Sequence, residues 1–243
     1  MNLDLFTSIR ILIPALGLLY ASYRDWVERE VDDWVWAFCG AAGGALTAID
    51  LASSWSLSLF LITIFSIGLS AGLAFAFYFF GLYGGADAKA IAVISLSLPV
   101  YHPPVRLHPF TGLASLSNGL LLSLILLLGF LLRNLIALAR GERIFEGFEH
   151  EKTARKIAAM LLGTRVRNAR RKKFWFPLEA EREGKRVFDF KLFELEFEEI
   201  TRDDCWATPG IPLLIFITAG FLTFVVAGDL LKLILDAIFP GTL

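Results

Sequence analysis

Residues 55–80 read WSLSLFLITIFSIGLSAGLAFAFYFF, an apolar run without one charged side chain. A helix of about 20 apolar residues is long enough to cross the hydrocarbon layer of a bilayer, which is about 30 Å thick. Hydrophobic residues make up 56% of the whole chain, whereas charged residues make up 19%. A water-soluble protein of 243 residues could not cover so apolar a surface. The composition therefore predicts an all-α polytopic membrane protein.

Six apolar runs predict six transmembrane helices. They cover residues 5–24, 34–51, 55–80, 88–103, 112–139 and 211–228. The fourth run is the shortest and contains Pro99. The first run has an alternative, a cleaved signal peptide, because Ala21, Ser22 and Tyr23 loosely resemble a cleavage site. Asp4 and the absence of a basic cluster before the run favour a retained helix.

Basic residues gather on one side of this topology. Arg24 and Arg29 follow the first run, Lys89 follows the third, and a large charged block at residues 140–202 follows the fifth. The opposite connections hold little beyond Arg106. The positive-inside rule places the basic segments in the cytoplasm and both termini outside the cell.

The runs also divide the chain. We expect residues 1–140 to form a membrane domain with helices one to five, and residues 141–208 to form a cytoplasmic insertion. Residues 209–243 should hold helix six and an amphipathic outer tail, with a stripe of alternating charges at Asp229, Lys232 and Asp236. In helices two and three, the spacing of glycines 40 and 44 and of glycines 68 and 72 predicts close helix packing.

The insertion is basic at residues 165–173 and acidic at residues 194–204. Such runs are typical of solvated surfaces or of surfaces that face lipid headgroups, so we expect membrane lipid as a partner and no nucleic acid. Between them, residues 187–197 alternate apolar and polar side chains, which predicts a half-buried strand with a bulge near Leu192. Cys39 and Cys205 are expected to lie too far apart for a disulfide. Two cysteines are also too few for a four-cysteine zinc site.

Carboxylates at the edge of hydrocarbon are costly, and Asp25 is the first candidate for a functional one. It follows helix one, four residues before Arg29. The structural alternative is an interfacial collar in which Arg29 pairs with Asp25 and Asp32 or Asp33 caps helix two. Taken alone, Asp25 leaves both interpretations open.

Asp87 is the second candidate, in the stretch Gly84-Gly85-Ala86-Asp87-Ala88-Lys89 between helices three and four. Its structural alternative is that the glycines make a turn and the aspartate caps helix four. Asp25 and Asp87 are nevertheless expected on the same side of the membrane at the same depth. Two carboxylates that close share a proton, which allows metal-free hydrolysis of a peptide bond.

The neighbours of Asp87 then gain roles as well. Gly84 and Gly85 lack a Cβ and let a substrate backbone approach, while Lys89 is a candidate for holding one aspartate ionised or positioning the substrate. His102, His108 and Asp50 are expected near the outer face, so they cannot join this pair in a zinc site or a serine triad. We therefore expect no metal and no cofactor.

Three stretches resemble the archaeal preflagellin and prepilin peptidases, relatives of the bacterial type IV prepilin peptidases. Residues 25–34 look like the first aspartate motif, with Arg-Glu-Val at residues 29–31. Residues 84–89 are similar to the Gly-x-Gly-Asp-x-Lys signature, with Ala86 in place of the second glycine, a departure that favours the archaeal branch. Residues 206–212 look like the archaeal stretch before the last helix.

This resemblance implies a six-helix aspartic-type endopeptidase with Asp25 and Asp87 as catalytic residues. It implies that Gly84, Gly85, Ala86, Lys89 and Arg29 shape the site. The substrates would be archaellin or type IV pilin-like precursors, cut on the cytoplasmic side after a short basic leader. Bacterial relatives often carry a four-cysteine zinc domain and methylate the product, and with two cysteines in this chain we expect no methyl transfer.

Two interpretations from other functional classes stay open on the sequence. An ion-coupled transporter would use the aspartates as a proton relay, but it requires acidic groups near the middle of the bilayer. A membrane scaffold would use the aspartates only as helix caps.

Overall fold

The computed structural model describes residues 4–190 and 200–240 and divides the chain into two compact units. The first, here called the helical unit, comprises Met1–Ser123 and Pro212–Leu243. The second, here called the insertion unit, comprises Leu124–Ile211.

The described residues are mostly helical. In chain order the α-helices are α1 Leu5–Glu28, α2 Asp33–Ser53, α3 Leu57–Phe79, α4 Gly85–Ser97, α5 Thr111–Ala139, α6 Thr153–Leu162, α7 Leu213–Val226 and α8 Leu230–Ile238. The strands are β1 Thr164–Val166, β2 Trp175–Pro177, β3 Glu179–Arg182, β4 Lys185–Phe188 and β5 Cys205–Pro209.

Among the described helices, α1, α2, α3 and α5 are each long and apolar enough to cross a membrane. A fifth span exists if α7 and α8, which meet at a bend of 69°, are taken together. The structure thus confirms a mostly helical protein with four or five candidate spans and a small sheet, but not six spans.

The shortfall lies mainly in the predicted run at residues 88–103. Its helix, α4, has 13 residues and a length of about 20 Å, well short of the hydrocarbon thickness. The helix ends at Ser97, two residues before Pro99, and Val100 instead forms a β-bridge with Phe110. Proline cannot continue a helix and disfavours helical geometry in the residue before it, which explains the early end.

Helix α4 is the central helix of the helical unit, in contact with α1, α2, α3 and α7. Ala88, Ala90, Ile91 and Ile94 are fully buried. A helix that is apolar on all sides is expected inside a protein, and its alanines allow neighbours to approach closely. The same burial brings the first turn of α4, with Asp87, into the interior.

A buried arginine holds the opposite end of α4. Arg10 of α1 donates hydrogen bonds to the Ser97 carbonyl at 2.9 Å, to Asp50 at 2.5 Å and to the Thr47 hydroxyl at 3.0 Å. The Thr47 hydroxyl donates in turn to the Leu96 carbonyl. These contacts satisfy carbonyl groups that have no partner within a helix and place a positive charge at the negative end of its dipole.

Replacing Arg10 by leucine should lower the free energy of unfolding by about 2 kcal/mol, because Asp50 and the carbonyls of α4 lose their partner. The expected value is moderate, since the Asp50 side chain is 36% exposed. Thermal unfolding in detergent measures the change. Leucine at the exposed Arg106 is the matched control, and an equal loss there would contradict a specific role for Arg10.

The charged stripe predicted after helix six is only partly present. Lys232 and Asp236 form an ion pair at 2.6 Å on α8. Asp229 is instead buried, 1% exposed, and accepts hydrogen bonds from the backbone of Leu231 and Lys232 as the N-cap of α8. Gly228 makes the bend before it at φ +99°, where a Cβ would lie 2.1 Å from a backbone oxygen.

The insertion unit contains a three-stranded antiparallel sheet in the order β1-β5-β2 and a hairpin of β3 and β4. Its core surrounds Trp206 of β5, which is fully buried and donates from its indole N–H to the Ile144 carbonyl at 2.9 Å. Of the strand predicted at residues 187–197, the first two residues form the end of β4, and residues 191–197 lie outside the described residues. Strand β4 ends at Phe188, and the predicted bulge near Leu192 lies outside the described residues.

Candidate active site

Asp25 lies in the last turn of α1. Arg29 ends the helix in a left-handed conformation, φ 60°, and its backbone N–H donates to the Asp25 carbonyl at 3.1 Å. The guanidinium of Arg29 lies 3.9 Å from the Asp25 carboxylate, whose side chain is 16% exposed. The pairing expected from the collar interpretation is therefore present, and the aspartate is also partly withdrawn from solvent.

Asp87 lies in the first turn of α4 and is 8% exposed. Its Oδ2 accepts a hydrogen bond from the backbone N–H of Gly84, the N-cap residue, at 3.1 Å. Asp87 thus supports the start of α4 from the third helical position rather than as the cap itself.

The two aspartates lie within electrostatic range of each other, although their positions in the sequence differ by 62. Helices α1 and α4 pack against each other, and the Asp25 carboxylate lies close enough to act electrostatically on Asp87. Arg29 lies within electrostatic reach of Asp87 as well. The carboxyl groups of Asp25 and Asp87 and the guanidinium of Arg29 therefore lie within electrostatic range of one another.

Gly84 and Gly85 lie close to neighbouring side chains, and neither is the left-handed residue of the connection before α4. A Cβ on Gly84 would lie 3.4 Å from Oδ2 of Asp87, and one on Gly85 would lie 3.4 Å from the ring of Tyr78. Gly84 has an ordinary φ of −75°, and the left-handed residue of this connection is Gly81, with φ +72°. The structural alternative gave the turn to Gly84 and Gly85, whereas the left-handed backbone of the connection is at Gly81.

Ala86 and Lys89, also predicted at the site, make their contacts with groups other than the two aspartates. Ala86 packs against the core of the helical unit. Lys89 forms an ion pair with Asp33 at 2.5 Å, in which the two side chains are 40% and 84% exposed. An ion pair this exposed adds little to stability. The Lys89 ammonium group pairs with Asp33 rather than with either candidate aspartate.

The cap predicted for α2 is present only in position. Asp32 is the N-cap residue, but its side chain makes no capping hydrogen bond. Its carboxylate instead lies 3.6 Å from Arg24. Asp33, the first residue of α2, pairs with Lys89, so neither aspartate caps the helix through its side chain.

Two features of the site were not predicted from the sequence. Tyr83 lies within electrostatic reach of Asp87, and its hydroxyl donates to the Ala74 carbonyl at 2.8 Å, which ties the connection back to α3. Ser22, one turn before Asp25, lies 2.8 Å from the Thr218 hydroxyl of α7 and is hydrogen-bonded to it. In the sequence, Tyr83 lies shortly before Asp87 and Ser22 shortly before Asp25, and this proximity was the available signal for both residues.

Known proteins resemble most of the chain in sequence. The family model described as the type IV leader peptidase family matches residues 12–138, and the one described as the archaeal peptidase A24 C-terminus type II matches residues 155–230. The preflagellin peptidase of Methanococcus maripaludis is 24% identical, with 96% of this chain and 99% of the relative covered. The preflagellin peptidase of Methanocaldococcus jannaschii is 23% identical, with coverages of 91% and 94%.

The preflagellin peptidase of Methanococcus voltae is 24% identical, with 91% of this chain and 96% of the relative covered. The match at residues 12–138 spans more than half of the chain and includes both Asp25 and Asp87. The chain is a protease of several apolar helices and belongs to the type IV leader peptidase family.

Proposed function

We propose that this protein is a membrane aspartyl endopeptidase that removes the leader peptide from archaellin or type IV pilin-like precursors on the cytoplasmic side of the membrane. The observation that carries the proposal is that Asp25 and Asp87, from separate helices, lie within electrostatic range of each other in a partly buried site. The names of the relatives supply the substrate class, and the basic residues around α1 and α4 support the cytoplasmic side.

The surroundings of the two carboxyl groups suggest different roles for them. Burial disfavours the ionised form of both carboxyl groups, but Asp25 is the less buried of the two and lies beside Arg29, whose charge favours ionisation. We assign it as the general base that takes a proton from the attacking water. Asp87 is buried beside a like charge, which favours its protonated form, and we assign it as the acid.

The proposed reaction has two steps. Asp25 removes a proton from water as the water oxygen bonds to the scissile carbonyl carbon, and Asp87 gives its proton to the carbonyl oxygen. In the tetrahedral intermediate the C–N bond then breaks. The proton held by Asp25 passes to the leaving nitrogen, and a hydroxyl of the intermediate returns a proton to Asp87, which restores the starting state.

The topology is part of the same proposal. We infer that all six apolar runs cross the membrane and that both termini lie outside. Helices α4 and α7 are short, but α4 is enclosed by other helices, so the hydrocarbon need not cover its full length. An intramembrane helix shielded by protein can be shorter than one that faces lipid.

The direct test uses the purified full chain in detergent with an archaellin precursor. We expect a product shortened by the leader, and mass spectrometry of both fragments locates the cleaved bond. An uncut precursor under conditions in which a known preflagellin peptidase cuts it would refute the proposal. Cleavage by the protein also separates it from the transporter and scaffold interpretations, neither of which breaks a peptide bond.

Enlarging Gly84 should reduce activity in proportion to the size of the new side chain. Alanine places a carbon 3.4 Å from the Asp87 carboxylate, a tight but tolerable contact, whereas valine carries methyl groups into the space beside it. We expect a small effect for alanine and a loss on the order of 10²-fold in kcat/KM for valine.

The same two substitutions at Gly72 of α3 are the control, because a Cβ there meets nothing within 4 Å. Equal losses at both glycines would show that bulk at Gly84 acts through the fold rather than through the site.

A further inference from the structure

The insertion unit contains a cleft of about 830 Å³ next to the end of α5. One wall is apolar and consists of α5 side chains, among them Leu132 and Ile136. The other wall is polar and consists of the turn that follows the helix and the start of the sheet, with Arg140 and Arg143. The cleft is lined by groups that no part of the proposed cleavage chemistry uses.

Positive charge exceeds negative charge in the lining. Five arginines line the cleft with three carboxylates. Arg165 is engaged with Asp204 through two hydrogen bonds of 2.9 and 2.7 Å. Arg133, Arg140 and Arg143 have no ion-pair partner within the part of the chain that the structure describes. Their unpaired charge favours binding of an anion.

The two walls are held together by a buried amide. Asn134 of α5 is 1% exposed and donates to the carbonyls of Met160 and Gly163 at 3.0 and 2.7 Å. Thr164 of β1 donates to the Asn134 side-chain oxygen at 2.9 Å. These bonds fix α5 against α6 and β1, so the cleft is built into the unit.

The position of the cleft on α5 indicates which anion it takes. The helix has 29 residues and a length of about 43 Å, so it exceeds the hydrocarbon thickness and one end must emerge. The end with Arg133 and Arg140 carries the charge and is the one that reaches headgroup depth. Leu132 and Ile136 remain 60% and 42% exposed on the same stretch.

We propose that this cleft binds an anionic membrane lipid, with its phosphate among Arg133, Arg140 and Arg143 and an acyl chain along Leu132 and Ile136. A phosphate with two apolar chains matches both walls, whereas a free phosphate matches only the arginines. The lipid joins the insertion unit to the membrane at a defined point.

The test measures lipid retained by the full chain after purification from vesicles of phosphatidylglycerol and phosphatidylcholine, using native mass spectrometry. The double variant R140Q and R143Q should lower retained phosphatidylglycerol at least about tenfold. The matched control, R171Q and K173Q, removes two exposed basic residues outside the cleft and should keep it. An equal loss in the control, or no loss in the cleft variant, overturns the proposal.

A second arm separates a lipid from a free phosphate. A Cβ on Gly129 meets nothing within 4 Å, so the Gly129→Leu variant fills the acyl path without changing charge. It should lower retention of phosphatidylglycerol several-fold, and inorganic phosphate should not displace the lipid from the unmodified protein. If equimolar inorganic phosphate displaced the lipid and Gly129→Leu had no effect, the cleft would be a site for free phosphate, and the proposal of a bound lipid would be overturned.

Discussion

Asparagine at Asp25 or at Asp87 should reduce cleavage of an archaellin precursor at least about 10³-fold while the protein stays folded. Asparagine is nearly the same size as aspartate, but it neither accepts a proton from water nor donates one as an acid. The amide oxygen can still accept the hydrogen bond from Gly84 that Asp87 makes. Because the two groups act on one water, the double variant should lose little more than either single variant.

The control is asparagine at Asp33, an aspartate at the start of α2 whose side chain is 84% exposed. It removes the same charge near the same site and breaks only the ion pair with Lys89, so most of the activity should remain. Thermal unfolding is measured for each variant beside the rate of cleavage. Normal cleavage by either Asp25→Asn or Asp87→Asn would remove the aspartyl mechanism and leave the two residues as parts of the helix ends.

The location of this site was predictable because it depends on features that a sequence carries. The hydropathy of the chain indicates the helix ends, and the distribution of basic residues predicts that Asp25 and Asp87 lie on the same side of the membrane. The motif around Asp87 adds the family resemblance. The same reasoning could not find Tyr83 or Ser22, since their contacts with Ala74 and Thr218 depend on which faces of the helices meet.

Hydropathy was a weaker guide to the lengths of the helices. The run at residues 88–103 is apolar because α4 is enclosed by protein, and apolar composition does not distinguish a buried helix from one that faces lipid. Hydropathy also assigns no role to Arg10, a charged residue within the first apolar run. In the structure it forms the buried network at the end of α4.

The close helix contacts predicted from the glycine spacing differ from those in the structure. The spacing of glycines 40 and 44 and of glycines 68 and 72 predicted close helix contacts. In the structure a Cβ on Gly44, Gly68 or Gly72 meets nothing within 4 Å, and one on Gly40 meets only ordinary neighbours. The prediction was wrong for these positions because a four-residue spacing says that two glycines share a face but not which partner that face meets.

A tight crossing that the spacing did not predict lies between α5 and α7, at Gly119 and Gly220. A Cβ on Gly220 would lie 2.4 Å from the Ser115 carbonyl oxygen and 2.5 Å from the backbone nitrogen of Gly119. Backbone atoms of a helix cannot turn aside as the tip of a side chain can, so α5 and α7 would have to separate. Helix α7 also packs against α1 through Thr218 and Ser22, so the displacement reaches the helix that carries Asp25.

Alanine at Gly220 should therefore lower the free energy of unfolding by about 3 kcal/mol and reduce cleavage with it. The same substitution at Gly68 is the matched control, because the added methyl group meets nothing there. Alanine is the better helix former by about 1 kcal/mol, so Gly68→Ala should be neutral or slightly stabilising. Thermal unfolding of both variants in one detergent gives the difference, and a Gly220→Ala protein as stable as Gly68→Ala would show that α5 and α7 do not cross this closely.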